Sequence, residues 1–109
     1  KILLIGFSFK ENTSDIRNTK IFDLINTFKS SGADVSVSDP LCAPDEVKKF
    51  YDLELEEPQN SKYDAVFIAV PHDIILEKDF SEFESYCKNE TIIFDFKSAL
   101  PLRYKAIQL

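Results

Sequence analysis

The chain has 109 residues, of which 44% are hydrophobic, and a formal net charge of −6 at pH 7. This length suffices for one hydrophobic core, and the acidic balance argues against nucleic-acid binding, which selects for basic surfaces. The apolar runs are only strand-sized, so we predict neither a signal peptide nor a membrane span and expect a cytoplasmic protein. The two cysteines lie in no ligand motif, so we predict no metal site and no disulfide.

The first third of the chain reads as strand, helix, strand. The continuous apolar run Lys1–Ile5 is typical of a strand that is buried on both faces. Apolar side chains then recur at helical spacing, which predicts a helix from about Thr19 to Ser31, with Gly32 as the left-handed residue after its end. These side chains are Ile21, Leu24, Ile25 and Phe28. A second strand is predicted over 34–38.

The middle of the chain carries a second helical pattern. Pro44 sits where a helix can begin, and the spacing predicts that Val47 and Phe50 face the core. Polar and apolar residues alternate over 52–55, which indicates a short edge strand.

The last part predicts two more strands and a helix. The strand over 65–70 is the most apolar and is expected beside the first strand, at the centre of the sheet. A helix follows, marked by Phe80, Phe83 and Tyr86 with Cys87, and then a strand over 91–94. Strands alternating with helices indicate an α/β fold, a doubly wound, mainly parallel, Rossmann-like sheet in three layers. The tail after Pro101 is left unassigned.

The loop from Gly6 to Thr19 is longer than a strand-to-helix junction requires. It follows the carboxyl end of a strand, the edge where open α/β sheets bind ligands. Lys10 and Arg17 offer cationic donors and several hydroxyl and amide side chains accompany them, which suits an anionic, oxygen-rich ligand. The alternative is a purely structural loop in which Asn18 or Thr19 caps the helix and both cations are solvated.

The same loop argues against an ordinary dinucleotide site. The Rossmann fingerprint G-x-G-x-x-G brings backbone close to a pyrophosphate. Here Gly6 is the loop's only glycine, and the other glycine of the chain is Gly32. The fold is therefore predicted to lack its own nicotinamide fingerprint.

Four segments of the chain resemble, in order, the C-terminal domain of the UDP-glucose/GDP-mannose dehydrogenase family. The loop carries a Phe-Lys pair followed by Asp-Ile-Arg-Asn-Thr, similar to the opening signature of that domain. Residues 35–40, 63–72 and 94–101 resemble its later strands and turns, so the resemblance covers essentially the whole chain. It is strongest to the branch that oxidises UDP-N-acetylhexosamines to uronates for surface polysaccharides.

This resemblance implies that 1–109 is a single UDP-sugar-binding domain of a longer NAD-dependent UDP-sugar 6-dehydrogenase. In the family, NAD is held mainly by an N-terminal domain, and the catalytic cysteine also lies in that N-terminal part. The parent enzyme is expected to be a homodimer in which this domain meets the N-terminal and central domains of its own polypeptide. No catalytic residue is assigned to the 109 residues, and the isolated chain is expected to be inactive.

The resemblance also implies roles for four residues. Phe9 and Lys10 match the family pair that contacts the UDP part of the substrate, and Arg17 matches an arginine that reaches the NAD pyrophosphate. Lys97 stands where other branches carry an Asp-Gly-Arg turn, and it could replace one positive charge toward the substrate. The alternatives are solvated lysines, and for Arg17 an ion pair with Asp15 or Glu11.

Four further residues are interpreted as structural. His72 ends the central strand and is read as a structural or gating histidine, and Asp39 as the residue that shapes the Asp-Pro turn. Cys42 and Cys87 are read as a loop thiol and a helix-face thiol. The competing functional hypotheses are a non-catalytic regulatory or partner-binding α/β module and, ranked below it, a domain that serves only as a dimer surface through its aromatic residues.

Overall fold

The computed structural model describes residues 1–101 and 106–108 and contains five strands and four helices in these ranges. The strands are β1 (Ile2–Ile5), β2 (Val35–Ser38), β3 (Ala65–Ile68), β4 (Ile93–Asp95) and β5 (Ile107–Gln108). The helices are α1 (Ile21–Ser30), α2 (Pro44–Tyr51), α3 (Asp73–Leu76) and α4 (Phe80–Tyr86). No helix in these ranges is long and apolar enough to cross a membrane.

All strand pairs run parallel, in the order β2-β1-β3-β4-β5. In register, Ile2 faces Val35 on one side and Ala65 on the other, so β1 lies between β2 and β3. The predicted doubly wound parallel sheet and the central position of β3 beside β1 are confirmed.

The sheet buries apolar side chains on both faces, which gives the three predicted layers. Leu3 and Ile5 of β1 point into a core that contains Phe83 of α4, whereas Leu4 points into a core that contains Ile25 of α1. This alternation follows from the two-residue period of a strand. Helices α1 and α2 therefore cover one face, and α3 and α4 cover the other.

Some assignments made from the sequence differ from the structure. Phe50 was expected to face the core, but its side chain is 65% exposed, whereas Val47 is buried as predicted. Residues 52–55 form no strand, and their only ladder contact is a single bridge from Leu55 to Val37. Helix α3 was not predicted, because four residues are too few to show a helical period.

Both glycines adopt left-handed backbone, but their surroundings differ. Gly32 (φ +92°) follows the last residue of the α1 cap, as predicted, and a Cβ there would meet nothing within 4 Å. Gly6 (φ +103°) packs against the backbone after β3, where a Cβ would lie 2.5 Å from Val70 Cβ and 2.6 Å from Val70 N. That contact explains why β3 ends at Ile68 instead of Val70: the chain folds over Gly6, and the N–H groups of Ala69 and Val70 both donate to Ile5 O.

The described residues form a compact unit. Its radius of gyration is 13.0 Å, close to the value of about 13 Å expected for a compact domain of this size. Within residues 1–101 and 106–108, every buried side-chain nitrogen and oxygen has a hydrogen-bond partner. We therefore expect the chain to fold without the rest of a longer protein.

Candidate functional site

The predicted ligand loop, residues 6–19, lies at the carboxyl edge of the sheet. It follows β1, and the segments after β2, β3 and β4 border it. Two asparagines give the loop its shape: Asn12 (φ 61°) and Asn18 (φ 58°) are left-handed. Asparagine tolerates this conformation better than other residues with a Cβ. From the sequence these asparagines are interpreted as hydrogen-bonding side chains, and Asn18 also as a possible helix cap, but the residue at the N-cap of α1 is Lys20.

Asp39, which follows β2, anchors the start of the loop. Its Oδ2 accepts hydrogen bonds from the N–H groups of Phe7 (2.7 Å) and Ser8 (3.2 Å), and its Oδ1 accepts one from Leu41 N–H (2.8 Å). The last of these is the turn-shaping contact that the sequence predicted. A further partner is His72 Nε2, 2.9 Å from Oδ2.

The carboxylate of Asp39 remains charged although its side chain is fully buried. Burial by itself would raise its pKa. The hydrogen bond from His72 and those from the backbone N–H groups of Phe7 and Leu41 outweigh that effect and lower the pKa from 3.8 to about 2. A buried carboxylate that accepts several N–H groups is stabilised in its ionised form.

His72 connects Asp39 to the middle of the loop. The N–H of Asn12 donates to Nδ1 of the imidazole (2.8 Å), so the ring proton resides on Nε2 and is donated to Asp39. In return, the Asn12 side-chain oxygen accepts the N–H of Asp73 at the start of α3 (2.8 Å). The fully buried imidazole fits the structural role inferred from the sequence.

The contact of Ser8 with this pair does not make a nucleophilic triad. Ser8 Oγ lies 3.3 Å from His72 Nε2, the same nitrogen that faces Asp39. In a triad, serine and aspartate occupy opposite nitrogens of the imidazole. The Ser8 hydroxyl instead donates to Lys10 O (2.8 Å) and is fully buried. These residues hold the loop in shape.

A second buried carboxylate, Asp95, holds the turn after β4. It accepts hydrogen bonds from the N–H groups of Ala99 (3.0 Å) and Leu100 (2.7 Å) and from the side chain of Gln108 (2.8 Å). This fixes the turn that presents Phe96 and Lys97 toward the loop. The sequence placed Asp95 at this turn but gave no sign that its side chain organises it.

A cleft of about 230 Å³ lies between the loop and this turn. Phe9 and Phe96, which are 52% and 40% exposed, contribute its aromatic walls. Its other lining residues are Asn18, Lys20, Ile21, Ala69, Val70 and Lys97. We call it the Phe9–Phe96 cleft. Phe96 and Lys20 were not singled out from the sequence; the signal for Phe96 was a large apolar residue in a turn after a buried strand.

Lys97 lines the cleft but is already paired. Its Nζ lies 2.8 Å from Glu11 Oε1, across a sequence separation of 86 residues. This hydrogen bond, with a backbone contribution from Glu11 itself, lowers the pKa of the Glu11 carboxyl. Lys97 is thus an exposed turn lysine, as in the alternative reading, but its ammonium is paired with Glu11.

Arg17 lies beside a neighbouring cleft of about 320 Å³ that is lined by Phe9, Asp15, Arg17 and Asn18. Its guanidinium makes two hydrogen bonds of 3.0 Å to the Asp15 carboxylate, and the side chain is 85% exposed. The ion pair with Asp15 considered from the sequence is present, and Glu11 pairs elsewhere. The Arg17 guanidinium lowers the pKa of Asp15 to about 2.

Lys10 is the predicted site residue that the structure does not bring to either cleft. Its side chain is exposed, and it forms no ion pair with any residue in 1–101 or 106–108. Of the four predicted site residues, Phe9 and Lys97 share one cleft, and Phe9 and Arg17 share the other.

The loop does not fit a dinucleotide in the manner of a Rossmann fingerprint. The second and third glycines of G-x-G-x-x-G would fall on Ser8 and Glu11. Ser8 fills a buried position with its hydroxyl, and Glu11 is held by Lys97. Gly6 is itself covered by Val70, so the close backbone approach that a pyrophosphate needs is blocked.

The cysteine thiols are buried and free. Burial, with the nearby Asp39 carboxylate, raises the pKa of Cys42 to about 12. In a Cys87→Ser variant, we expect Cys42 to resist Ellman's reagent at pH 8 in the folded chain and to react at once in urea, because only the thiolate is nucleophilic. Stoichiometric reaction of the folded variant within minutes would contradict this placement.

Comparisons with known proteins identify the family of the chain. The family model described as "UDP-glucose/GDP-mannose dehydrogenase family, UDP binding domain" matches residues 3–101, so the chain belongs to this family. The chain is 31% identical over 109 residues to a UDP-N-acetyl-D-glucosamine 6-dehydrogenase of Salmonella typhi, covering 99% of this chain and 26% of that protein. It is 36% identical over 98 residues to protein CapL of Staphylococcus aureus, covering 89% and 23%.

Solved structures show the same fold. A UDP-D-ManNAc dehydrogenase from Pyrococcus horikoshii superposes with a TM-score of 0.73 at 18% identity, over 98% of this chain and 24% of that chain. The present chain therefore spans about a quarter of the length of the relatives that it matches.

Proposed function

We propose that this chain is the substrate-binding domain of an NAD-dependent UDP-sugar 6-dehydrogenase, acting on a UDP-N-acetylhexosamine for surface polysaccharide synthesis. Two of its relatives are named UDP-N-acetyl-D-glucosamine 6-dehydrogenases. The observation that carries the proposal is the Phe9–Phe96 cleft at the carboxyl edge of the sheet, with aromatic walls and the cations Lys20 and Lys97. Such a cleft suits a planar base joined to phosphates.

The remaining roles follow from the same proposal. Arg17, exposed and oriented by Asp15, contacts a phosphate of NAD that is held mainly by another domain of the parent enzyme. A guanidinium can bind two phosphate oxygens at once. The chain supplies no catalytic residue, so on its own it is inactive, and the parent acts as a homodimer. Lys10 contacts substrate only in the assembled enzyme.

An NMR titration of the chain with UDP, with NAD in a parallel sample, tests the proposal. We expect UDP to shift the amides of residues 6–19 and those around Lys97, and NAD to shift few of them. Lys97→Ala should weaken UDP binding roughly fivefold, which corresponds to the loss of one exposed charge-assisted hydrogen bond of about 1 kcal/mol. Lys29→Ala is the control, since Lys29 lies in the last turn of α1, away from the cleft.

The titration also separates the competing functions. If UDP moves no amide, the same titration on a longer protein that contains this chain distinguishes a site completed by another domain from a wrong proposal. Equal shifts with UDP and with uridine would indicate that the phosphates make no contact with Lys97.

A further inference from the structure

His72 joins three strand ends and the ligand loop through hydrogen bonds. The imidazole follows β3, its Nε2 faces Asp39 after β2, and its Nδ1 accepts the N–H of Asn12 in the loop after β1. It is fully buried, so no solvent competes for either nitrogen. Each nitrogen therefore has a separate partner and a separate consequence for the structure.

The contact with Asn12 is the one that reaches the cleft. Asn12 is left-handed and is tied at its backbone to His72 and at its side chain to Asp73. Its neighbour Glu11 extends to Lys97 on the far wall of the Phe9–Phe96 cleft. Fixing Asn12 thus fixes the direction in which Glu11 and, through it, Lys97 are presented.

The contact with Asp39 serves a different purpose. It satisfies a buried carboxylate that also holds the N–H groups of Phe7 and Ser8, at the point where the loop leaves the sheet. Loss of a partner from a buried charge costs stability of the whole fold. The two ring nitrogens therefore have different roles: Nε2 stabilises the fold through Asp39, and Nδ1 stabilises the loop through Asn12.

We propose that His72 is a positioning residue for the UDP-sugar site, acting through its Nδ1 acceptor on Asn12 and from there on the Glu11–Lys97 wall of the cleft. The identity of the ligand, UDP, rests on the proposed function, whereas the effect of His72 on the loop does not. It assigns to the histidine a role in ligand affinity that a purely structural side chain would not have.

Two amide variants separate the two nitrogens. In His72→Asn the side-chain oxygen falls near Nδ1 and keeps an acceptor for Asn12, but the side chain is too short to reach Asp39. In His72→Gln the amide nitrogen falls near Nε2 and keeps a donor to Asp39, but the acceptor for Asn12 is lost. We therefore expect His72→Asn to lose more stability in urea and His72→Gln to lose more UDP affinity.

Amide hydrogen exchange and UDP titration of the chain measure both effects. In His72→Gln we expect the Asn12 amide to exchange about tenfold faster and the Kd for UDP to rise about tenfold, as the loss of one partly buried hydrogen bond implies. In His72→Asn both should stay close to wild type under conditions where the variant is folded. Opposite rankings of the two variants in stability and in affinity would support the positioning role.

Other outcomes overturn the inference or its premise separately. If UDP affinity falls in proportion to stability in both variants, or if His72→Gln frees the Asn12 amide without weakening UDP, the positioning role is wrong. If wild-type chain binds no UDP, the titrations are repeated on a longer protein that contains this chain, and absence of binding there overturns the proposed function. The hydrogen-exchange rate of the Asn12 amide tests the contact between His72 and the loop independently of UDP. An unchanged rate in His72→Gln would show that this contact does not hold the loop.

Discussion

Replacing Gly6 by alanine is expected to destabilise the chain by about 3 kcal/mol, one of the two largest effects of a single substitution that the structure suggests. Left-handed backbone penalises any residue with a Cβ, and this Cβ would lie 2.5 Å from Val70 Cβ and 2.6 Å from its backbone nitrogen. The backbone of Val70 cannot move without pulling on the end of β3. Urea unfolding of the variant measures the loss.

Gly32→Ala is the matched control for this experiment. Gly32 has a similar φ, +92°, but open space where the Cβ would stand. Its substitution should therefore cost only the conformational term, about 1 kcal/mol. If the two glycine variants lose equal stability, the contact between Gly6 and Val70 contributes nothing and the argument from close approach is wrong.

Asp39→Asn is expected to cost about 3 kcal/mol at neutral pH, because an amide cannot accept from all the donors that face this carboxylate. Those donors are the N–H groups of Phe7, Ser8 and Leu41 and Nε2 of His72. The NH₂ group of the new side chain can only donate a hydrogen bond, so it would face N–H groups that the carboxylate oxygen of Asp39 accepts. Urea unfolding at pH 7 measures this loss.

The same carboxylate should make stability depend on acid. Its pKa is lowered on folding from 3.8 to about 2. Because the folded pKa lies below the unfolded one, the stabilisation is complete above the unfolded pKa and is lost as the pH falls through the folded pKa. With about 1.4 kcal/mol per pKa unit, wild type should lose about 2 kcal/mol from this group between pH of about 5 and about 2.

Urea unfolding across this pH range tests the assignment. In Asp39→Asn this part of the acid dependence should be missing. Asp15→Asn is the control, since Asp15 also has a pKa of about 2 but pairs with Arg17 at the surface, where such pairs contribute little to stability. An Asp39→Asn variant with the acid dependence of wild type would show that another carboxylate is responsible.

The sheet and its order were predictable from the sequence because buried parallel strands leave continuous apolar runs. Lys1–Ile5 and residues 65–70 gave this signal, and they became the neighbours β1 and β3. Phe50 was misassigned because helical spacing alone placed it beside Val47, yet no element covers that side of α2 among the described residues. Periodicity tells which residues share a face, but not how wide the covering layer is.

The loop and clefts of the candidate site lie where the sequence placed them, but the side-chain contacts within the candidate site were only partly predictable. The loop and its cations were found because a long loop after a buried strand is conspicuous. The contact between Asp39 and His72 was within reach of the same reasoning, since each residue follows a strand that flanks β1, and the carboxyl ends of parallel strands meet at one edge. The Arg17–Asp15 pair was considered from the sequence, since the two residues are close in the chain. The Glu11–Lys97 pair was not foreseen, because side-chain partners separated by 86 residues leave no local pattern.

The ion pairs Arg17–Asp15 and Lys97–Glu11 lower the free energy that an anion gains by binding to these cations. An anion that takes Lys97 or Arg17 displaces a carboxylate of the same chain, so one ion pair is exchanged for another and the displaced Glu11 or Asp15 is returned to water. The binding free energy therefore reflects the difference between the attraction of the cation to the anion and its attraction to the carboxylate. Glu11 and Asp15 therefore compete with any anion for the cations of the chain, and we expect this competition to favour a ligand with several phosphate oxygens over a small anion.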